Sequence, residues 1–242
     1  LIINERGYVI PAFDTDDVKY TLLADRLAES IWSFNPEAKI KILTNDDLPD
    51  LSLKGQAKDY FVYKLSPFRQ TIKLEADMII TSNIDHWWSM FEHRDVVIST
   101  GCRNFYDQPV ESRFYRAIFD NNDLPDVYNA ITYWRVSETA KNFFTLVKNI
   151  FLNWQEFSKL LLLPDPEPTT DVVYGIAAKI IGPEQVTLPF ASYPKITHMK
   201  KHCIPIKTNN WTKELIWELY PFRVQTCVQW GAFHYIDKKW TP

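Results

Sequence analysis

The sequence predicts an α/β fold, with a mixed, mainly parallel central sheet flanked by helices, in one domain spanning residues 1–242. Three observations predict it. Apolar positions near the N-terminus alternate between a period of about 2 and a period of about 3.6, the pattern of strand, helix, strand. Fifteen Phe, 12 Tyr and 9 Trp supply large side chains for a core, with some left for a binding surface. No internal repeat and no linker-like stretch divides the chain.

Tyr8-Val9-Ile10-Pro11-Ala12-Phe13 is a short apolar run, hence a strand, and the polar loop Asp14-Thr15-Asp16-Asp17 ends it. Leu22, Leu23, Leu27, Ile31 and Phe34 then recur at helical spacing from Val18 until Asn35-Pro36 stops the pattern. Lys39-Ile40-Lys41-Ile42-Leu43-Thr44 alternates at period 2 and runs into Asn45-Asp46-Asp47, a second strand with its turn. A β-α-β opening implies two parallel strands. Ser66-Pro67-Phe68 introduces a third strand over Thr71–Ile80, and a fourth covers Asp95–Thr100 after a Trp87-Trp88 segment. Helical spacing returns over Ser137–Phe157 and over Asp171–Ile181, the latter with Thr169 and Thr170 as capping candidates. Between those helices, Pro164-Asp165-Pro166-Glu167-Pro168 is rigid and extended, suited to the edge of a cleft.

Composition excludes several classes. With 27 Lys+Arg against 30 Asp+Glu, a net charge of −3 offers no general electrostatic grip on nucleic acid and leaves room only for a local basic patch. The longest oily run, Leu160–Leu163, stops at Pro164, far short of the roughly 18 apolar residues that cross a bilayer. Cys102, Cys203 and Cys227 are odd in number and lack Cys-x-x-Cys spacing, which favours reduced thiols and a cytoplasmic location. Leu1 to Arg6 carry neither an initiator Met nor a signal-peptide pattern, so the start is expected to have been processed or trimmed. No Gly-x-Gly-x-x-Gly follows the first strand, against a dinucleotide-dependent oxidoreductase.

Two stretches point to chemistry. In Leu74-Glu75-Ala76-Asp77-Met78, an extended chain turns Glu75 and Asp77 to one face while Leu74, Ala76 and Met78 pack opposite. Adjacent carboxylates repel, and a hard divalent cation is the natural compensation; the alternative is two solvated acids at a strand end. Near the C-terminus, Phe233-His234-Tyr235-Ile236-Asp237-Lys238-Lys239-Trp240 joins an imidazole able to complete a metal shell to two ammonium groups able to neutralise a diphosphate. Its alternative is a surface His with two solvated lysines.

Together these stretches resemble the nucleotide-sugar glycosyltransferases of the GT-A fold, most of all the glycogenin and lipopolysaccharide-galactosyltransferase group, whose strand carries Leu-Asp-Ala-Asp and whose end carries His-Phe-x-Gly-x-x-Lys-Pro-Trp. The chain is also similar to glycosyltransferases of tailed bacteriophages, for which the location would be the host cytoplasm. It departs from the pattern twice: Glu75 stands at the first Asp, and the terminal motif is shorter and lacks its Gly and Pro. The resemblance implies Mn²⁺ or Mg²⁺ held by Asp77 and His234, with Glu75 assisting through the metal or the donor's ribose. It implies a nucleoside-diphosphate sugar whose base is received by Ala12, Phe13, Thr15 and Tyr20, and whose phosphates meet Lys238 or Lys239, with Lys64 as a further donor contact. For Phe13 and Tyr20 core packing is the competing reading, and for Lys64 a plain surface lysine.

On the acceptor side, Asn129-Ala130 resembles the group's Asn-Ser/Ala-Gly turn and Thr170-Asp171 its Asp-Gln segment, so Asp171 and Asn129 are the catalytic candidates of a reaction that mostly retains configuration. An Asp in a first helical turn is also favoured by the helix dipole alone. Trp87, Trp88, Phe105, Tyr106, Phe114 and Tyr115, interleaved with Arg103, Arg113 and Arg116, read either as a wall for the acceptor or as core. Thr197-His198-Met199-Lys200-Lys201-His202 is the most basic local patch, a second phosphate or metal contact or else a solvated turn. The function expected is metal-dependent transfer of a sugar to an acceptor hydroxyl, on a glycan or a hydroxylated DNA base. The alternatives are a non-catalytic nucleotide- or carbohydrate-binding domain of the same fold and a nucleotidyltransferase.

Overall fold

Strand β1 (Asn4–Pro11), helix α1 (Tyr20–Trp32) and strand β2 (Ile40–Leu43) form the expected parallel unit, with Tyr8 opposite Ile40 and Ile10 opposite Ile42. The computed structural model describes residues 4–49, 55–100, 113–163, 167–189, 196–199, 203–206, 215–219, 224–228, 231–235 and 238. A 3-10 helix (Gly55–Phe61) leads into α2 (Val62–Leu65) and β3 (Phe68–Leu74), which lies parallel to β1 on its other side. After β4 (Met78–Ile80), α3 (His86–Phe91), β5 (Val96–Thr100) and α4 (Arg113–Asn121), strand β6 (Val127–Arg135) returns antiparallel between β3 and β5. The central sheet therefore reads β2-β1-β3-β6-β5, with β6 alone reversed.

Helices α5 (Glu138–Leu152), α6 (Trp154–Leu160), α7 (Thr170–Ile181) and α8 (Pro183–Val186) precede five short strands, β7 (Ile196–Met199), β8 (Cys203–Ile206), β9 (Leu215–Leu219), β10 (Val224–Val228) and β11 (Ala232–Tyr235). They build two more sheets, β10-β9-β8 and β4-β11-β7. Among the described residues no helix is long and apolar enough to cross a membrane.

The two faces of the central sheet carry separate cores, as strand alternation requires. Tyr8, Ile10, Ile72, Val97 and Tyr133 pack with α1 and the Trp87-Trp88 turn of α3. Val9, Val96, Ile98 and Trp134 pack with α5 and α7 on the other side. Parallel pairing of β1 with its neighbours is tight at Gly7, where a Cβ would lie 2.4 Å from the Phe68 ring and 2.8 Å from the carbonyl oxygen of Lys39. Gly7→Ala is expected to cost about 1–3 kcal/mol by overpacking. A thermal melt reads this as a fall of about 2–4 °C for each kcal/mol in a domain of this size.

Three expectations are corrected. The strand expected over Thr71–Ile80 is two strands in different sheets, because the chain turns at Glu75-Ala76-Asp77 and Met78–Ile80 pairs with β11 instead. The helix expected over Ser137–Phe157 breaks at Asn153, and Ser137 caps its first part by accepting the Ala140 N–H at 3.1 Å. Asn129-Ala130 is not a turn but part of β6, whose first eight residues are buried. A strand covered on both faces shows no polar alternation, so Tyr128-Asn129-Ala130-Ile131-Thr132 gives no period-2 signal.

Candidate active site

The parallel strands β1 and β3 end at one edge of the central sheet, where open α/β folds place their ligands. The loop after β1 is built by its own polar groups. Asp14 accepts both the backbone N–H (2.9 Å) and the hydroxyl (3.2 Å) of Thr21, which ties the loop to the first turn of α1, and Thr15 Oγ1 accepts the Val18 N–H at 3.1 Å.

The turn after β3 carries the two carboxylates across the seam between two sheets. The Glu75 N–H still donates to the Ala130 carbonyl of β6, whereas the Asp77 carbonyl accepts the Tyr235 N–H of β11. Antiparallel register then sets His234 opposite Met78, the residue after Asp77. His234 Nε2 consequently lies 3.1 Å from Asp77 Oδ2 and 3.3 Å from Glu75 Oε2. Asp77 and His234 are each 6% exposed, and Lys238 forms an ion pair with Asp77. The extra methylene of Glu75 does not take its carboxylate out of the group. Burial pulls the Lys238 ammonium down to about 8, against the opposing pull of Glu75.

These donors suit a divalent cation. One ligand atom from each of Glu75, Asp77 and His234 falls within 4.8 Å of the others. Adjacent ligands of an octahedral ion with bonds of about 2.1 Å stand about 3 Å apart, close to the spacings from His234 Nε2. Two carboxylates and one imidazole give a mixed oxygen and nitrogen donor set able to hold such an ion.

The three residues open onto a cleft of about 450 Å³. Of the residues expected at the nucleotide, Phe13, Thr15 and Tyr20 line it. Burial and then the Glu75 charge push the Tyr20 phenol up, and the ring lines the same cleft as the two carboxylates. Ala12 is fully buried in the core, and Pro11 lines the cleft instead, because the chain shows alternate residues to the two sides. Lys64 is exposed on α2 and is absent from the cleft wall; Lys58, on the preceding 3-10 helix, lines it, with Nζ 5.9 Å from the Phe13 ring centroid. Lys239 and Trp240 lie outside the described residues.

Asp171 lines the cleft and is held from behind. Its Oδ1 accepts the Asn129 N–H at 2.9 Å and its Oδ2 accepts from Arg116 Nη1 at 3.3 Å. The cap of its helix comes from afar: Thr169 makes no side-chain cap bond, and Gln56 Oε1 accepts the Thr170 N–H at 2.6 Å. Asn129 is fully buried and does not reach the cleft; its amide joins Asp59 and Thr132. Trp87 and Trp88 are core, not wall, and Arg116 is 4% exposed among its acceptors. The aromatic residues 105 and 106 and Arg103 lie outside the described residues. In the basic patch, 196–199 is strand β7 rather than a turn, with His198 in register with His234, and residues 200–202 lie outside the described residues.

No sequence family and no curated protein matches the chain. Solved structures do. The glycosyltransferase GlyE of Streptococcus pneumoniae TIGR4 superposes with a TM-score of 0.51 at 10% identity, over 77% of this chain and 45% of that one. The fold is that of a GT-A glycosyltransferase. Mouse xyloside xylosyltransferase 1 matches at a TM-score of 0.49 and 9% identity over 82% of this chain and 88% of that one. The galactosyltransferase LgtC matches at 0.46 and 10% identity over 70% of each. The chain spans less than half the length of GlyE.

Five cleft residues were not singled out from sequence: Gln56, Lys58, Asp59, Lys73 and Tyr128. For Lys73 a signal existed, since a lysine two positions before Glu75 in an otherwise apolar strand shares its face by period 2. The others lie in a 3-10 helix and in β6, where no period marks them.

Proposed function

We propose that this protein is a divalent-metal-dependent glycosyltransferase that moves a sugar from a nucleoside-diphosphate sugar to an acceptor hydroxyl, on a glycan or a hydroxylated DNA base. The observation that carries the reading is the convergence of Glu75, Asp77 and His234 on a cleft at the strand ends of this fold. Mn²⁺ bound there would act as a Lewis acid on the departing nucleoside diphosphate. Phe13 and Tyr20 offer ring faces to the base, and the Thr15 hydroxyl lies in the same loop. Lys58 and Lys238 supply positive charge to the phosphates. Asp171, fixed by Arg116 and the Asn129 N–H, orients a hydroxyl of the sugar or acceptor. Asn129 acts behind it as a positioning residue, and the resemblance favours retention of configuration.

The test incubates the protein with UDP- and GDP-sugars in Mn²⁺ and measures both the melting temperature and released nucleoside diphosphate. A ligand that binds only the native state at 100 times its Kd adds about 2.7 kcal/mol of stability, so the expected result is a clear upward shift with slow release of UDP or GDP, both lost in EDTA. Binding without turnover in the presence of glycan and hydroxymethylated-DNA acceptors would favour the non-catalytic domain. Pyrophosphate released from a nucleoside triphosphate would favour the nucleotidyltransferase.

A further inference from the structure

Beneath the cleft on the β6 and α7 side lies a buried polar group that the proposed chemistry does not use. Lys73 Nζ donates to Asp59 Oδ1 at 2.8 Å; Asp59 Oδ2 accepts from the Tyr174 hydroxyl at 2.6 Å and from Asn129 Nδ2 at 3.4 Å; and Thr132 Oγ1 donates to Asn129 Oδ1 at 2.6 Å. Burial, then the Asp59 charge, pushes the Tyr174 phenol far up, so it stays a donor. Asp59 is thereby clamped from three elements, β3, β6 and α7. Lys73 is 1% exposed, yet it and Asp59 both line the cleft.

Hydrogen-bond accounting leaves this pair incomplete. An ammonium has three donors, and among the described residues Asp59 is the one hydrogen-bond acceptor of Lys73, the Tyr174 ring lying 5.7 Å away by its centroid. Two N–H groups on a buried cation thus meet no oxygen of the described residues, a costly arrangement unless something in the cleft accepts them. Asp59 Oδ1 keeps a lone pair beside them. Donor and acceptor stand one hydrogen-bond length apart, as do the neighbouring hydroxyls of a pyranose or furanose ring. The charges are balanced: Lys73 by Asp59, and Asp171 nearby by Arg116.

We infer that Lys73 and Asp59 read two adjacent hydroxyls of a neutral sugar, Lys73 donating to one oxygen and Asp59 accepting from the other, and so select an uncharged hexose or pentose in the donor. This rests on the proposed donor site. The Lys73 ammonium sits two residues before Glu75 on β3, so the reader and the carboxylate turn are parts of one strand and its exit.

The experiment compares Kd values, in Mn²⁺, for UDP, GDP and a panel of UDP-glucose, UDP-galactose, UDP-xylose, GDP-mannose and UDP-glucuronate, on the parent and on Lys73→Met. The parent is expected to bind one neutral sugar nucleotide about 10-fold or more tighter than its bare diphosphate, in the range of hydrogen bonds to a charged group. Lys73→Met should bring that ratio near 1 while the bare diphosphate changes less than about 2-fold. Donors deoxygenated at single positions supply the second readout: removal of a hydroxyl read by the pair weakens binding to the parent and leaves the variant unmoved, which a purely structural lysine would not produce. Should Lys73→Met fail to fold around a stranded carboxylate, Lys73→Met with Asp59→Asn removes both charges and tests the same ratio. A variant that keeps the parent's ratio, or a parent that prefers UDP-glucuronate, overturns the inference and leaves the donor site standing. A parent that binds neither UDP nor GDP removes the donor site and the inference together.

Discussion

Asp77→Ala is expected to abolish Mn²⁺-dependent nucleotide binding and to lower sugar transfer by more than about 10²–10³-fold, while melting within a few degrees of the parent. Asp77 is the hub of the cluster: its carboxylate meets both His234 and Lys238, and its side chain is 8% exposed, whereas the Glu75 side chain is 30% exposed. Without it, Glu75 and His234 remain, too few protein ligands to hold an ion against water. The fold should survive because Asp77 joins β11 through its backbone carbonyl, which the substitution keeps. Removing one of two repelling carboxylates also offsets the lost Lys238 pair. Asp77→Asn separates charge from shape, since the amide fills the same space and lacks the anion. Titration of Mn²⁺ followed by its spin resonance checks both variants without any turnover. Retention of parent-like Mn²⁺ affinity by Asp77→Ala would move the metal away from this turn.

The opening β-α-β unit was legible because α1 and β2 carry the periodicity of half-buried elements, while β1, covered on both faces, shows as a short continuous apolar run bounded by a polar loop. The carboxylate pair was legible as a pair, but its geometry was not. Strand alternation set Glu75 and Asp77 on one face for a local reason, whereas in the structure they converge because the chain turns there and Met78–Ile80 leaves for another sheet. That choice belongs to β11, far along the chain, and nothing in residues 71–80 encodes it. Strand β6 escaped for the opposite reason, being buried on both faces and seeded with Asn129 and Thr132 that satisfy each other internally. Lys64 and Lys58 illustrate a third limit. Both are lysines in short helical turns before β3, and only the packing of the 3-10 helix against α5 and α7 brings one of them to the cleft.

Arg116→Met is the substitution expected to cost the most stability. Sequence left this arginine in a cluster that reads either as an acceptor wall or as core; in the structure it is 4% exposed and serves three acceptors. Its Nε reaches Asp126 Oδ1 at 2.6 Å, Nη2 bonds both Asp126 and the Val127 carbonyl, and Nη1 reaches Asp171 Oδ2 at 3.3 Å, with the Phe119 ring centroid 4.0 Å below the guanidinium. Methionine fills the stem and the ring contact but leaves a mostly buried Asp171 carboxylate with, among the described residues, the Asn129 N–H alone. Stranding one partner of a buried pair costs about 3–5 kcal/mol; the half-exposed Asp126 keeps its water, so the lower end applies here. A fall in melting temperature of roughly 6–12 °C follows for a domain of this size. Lysine at this position should recover only part of it, because a single ammonium cannot span a fork that joins α4, β6 and α7. Transfer should fall further than stability explains, since Asp171 loses the group that aims it across the cleft. The competing view of Arg116 as an acceptor contact predicts the reverse pattern, an unchanged melting temperature with a raised KM for the acceptor, and a melt of the one purified variant decides between them.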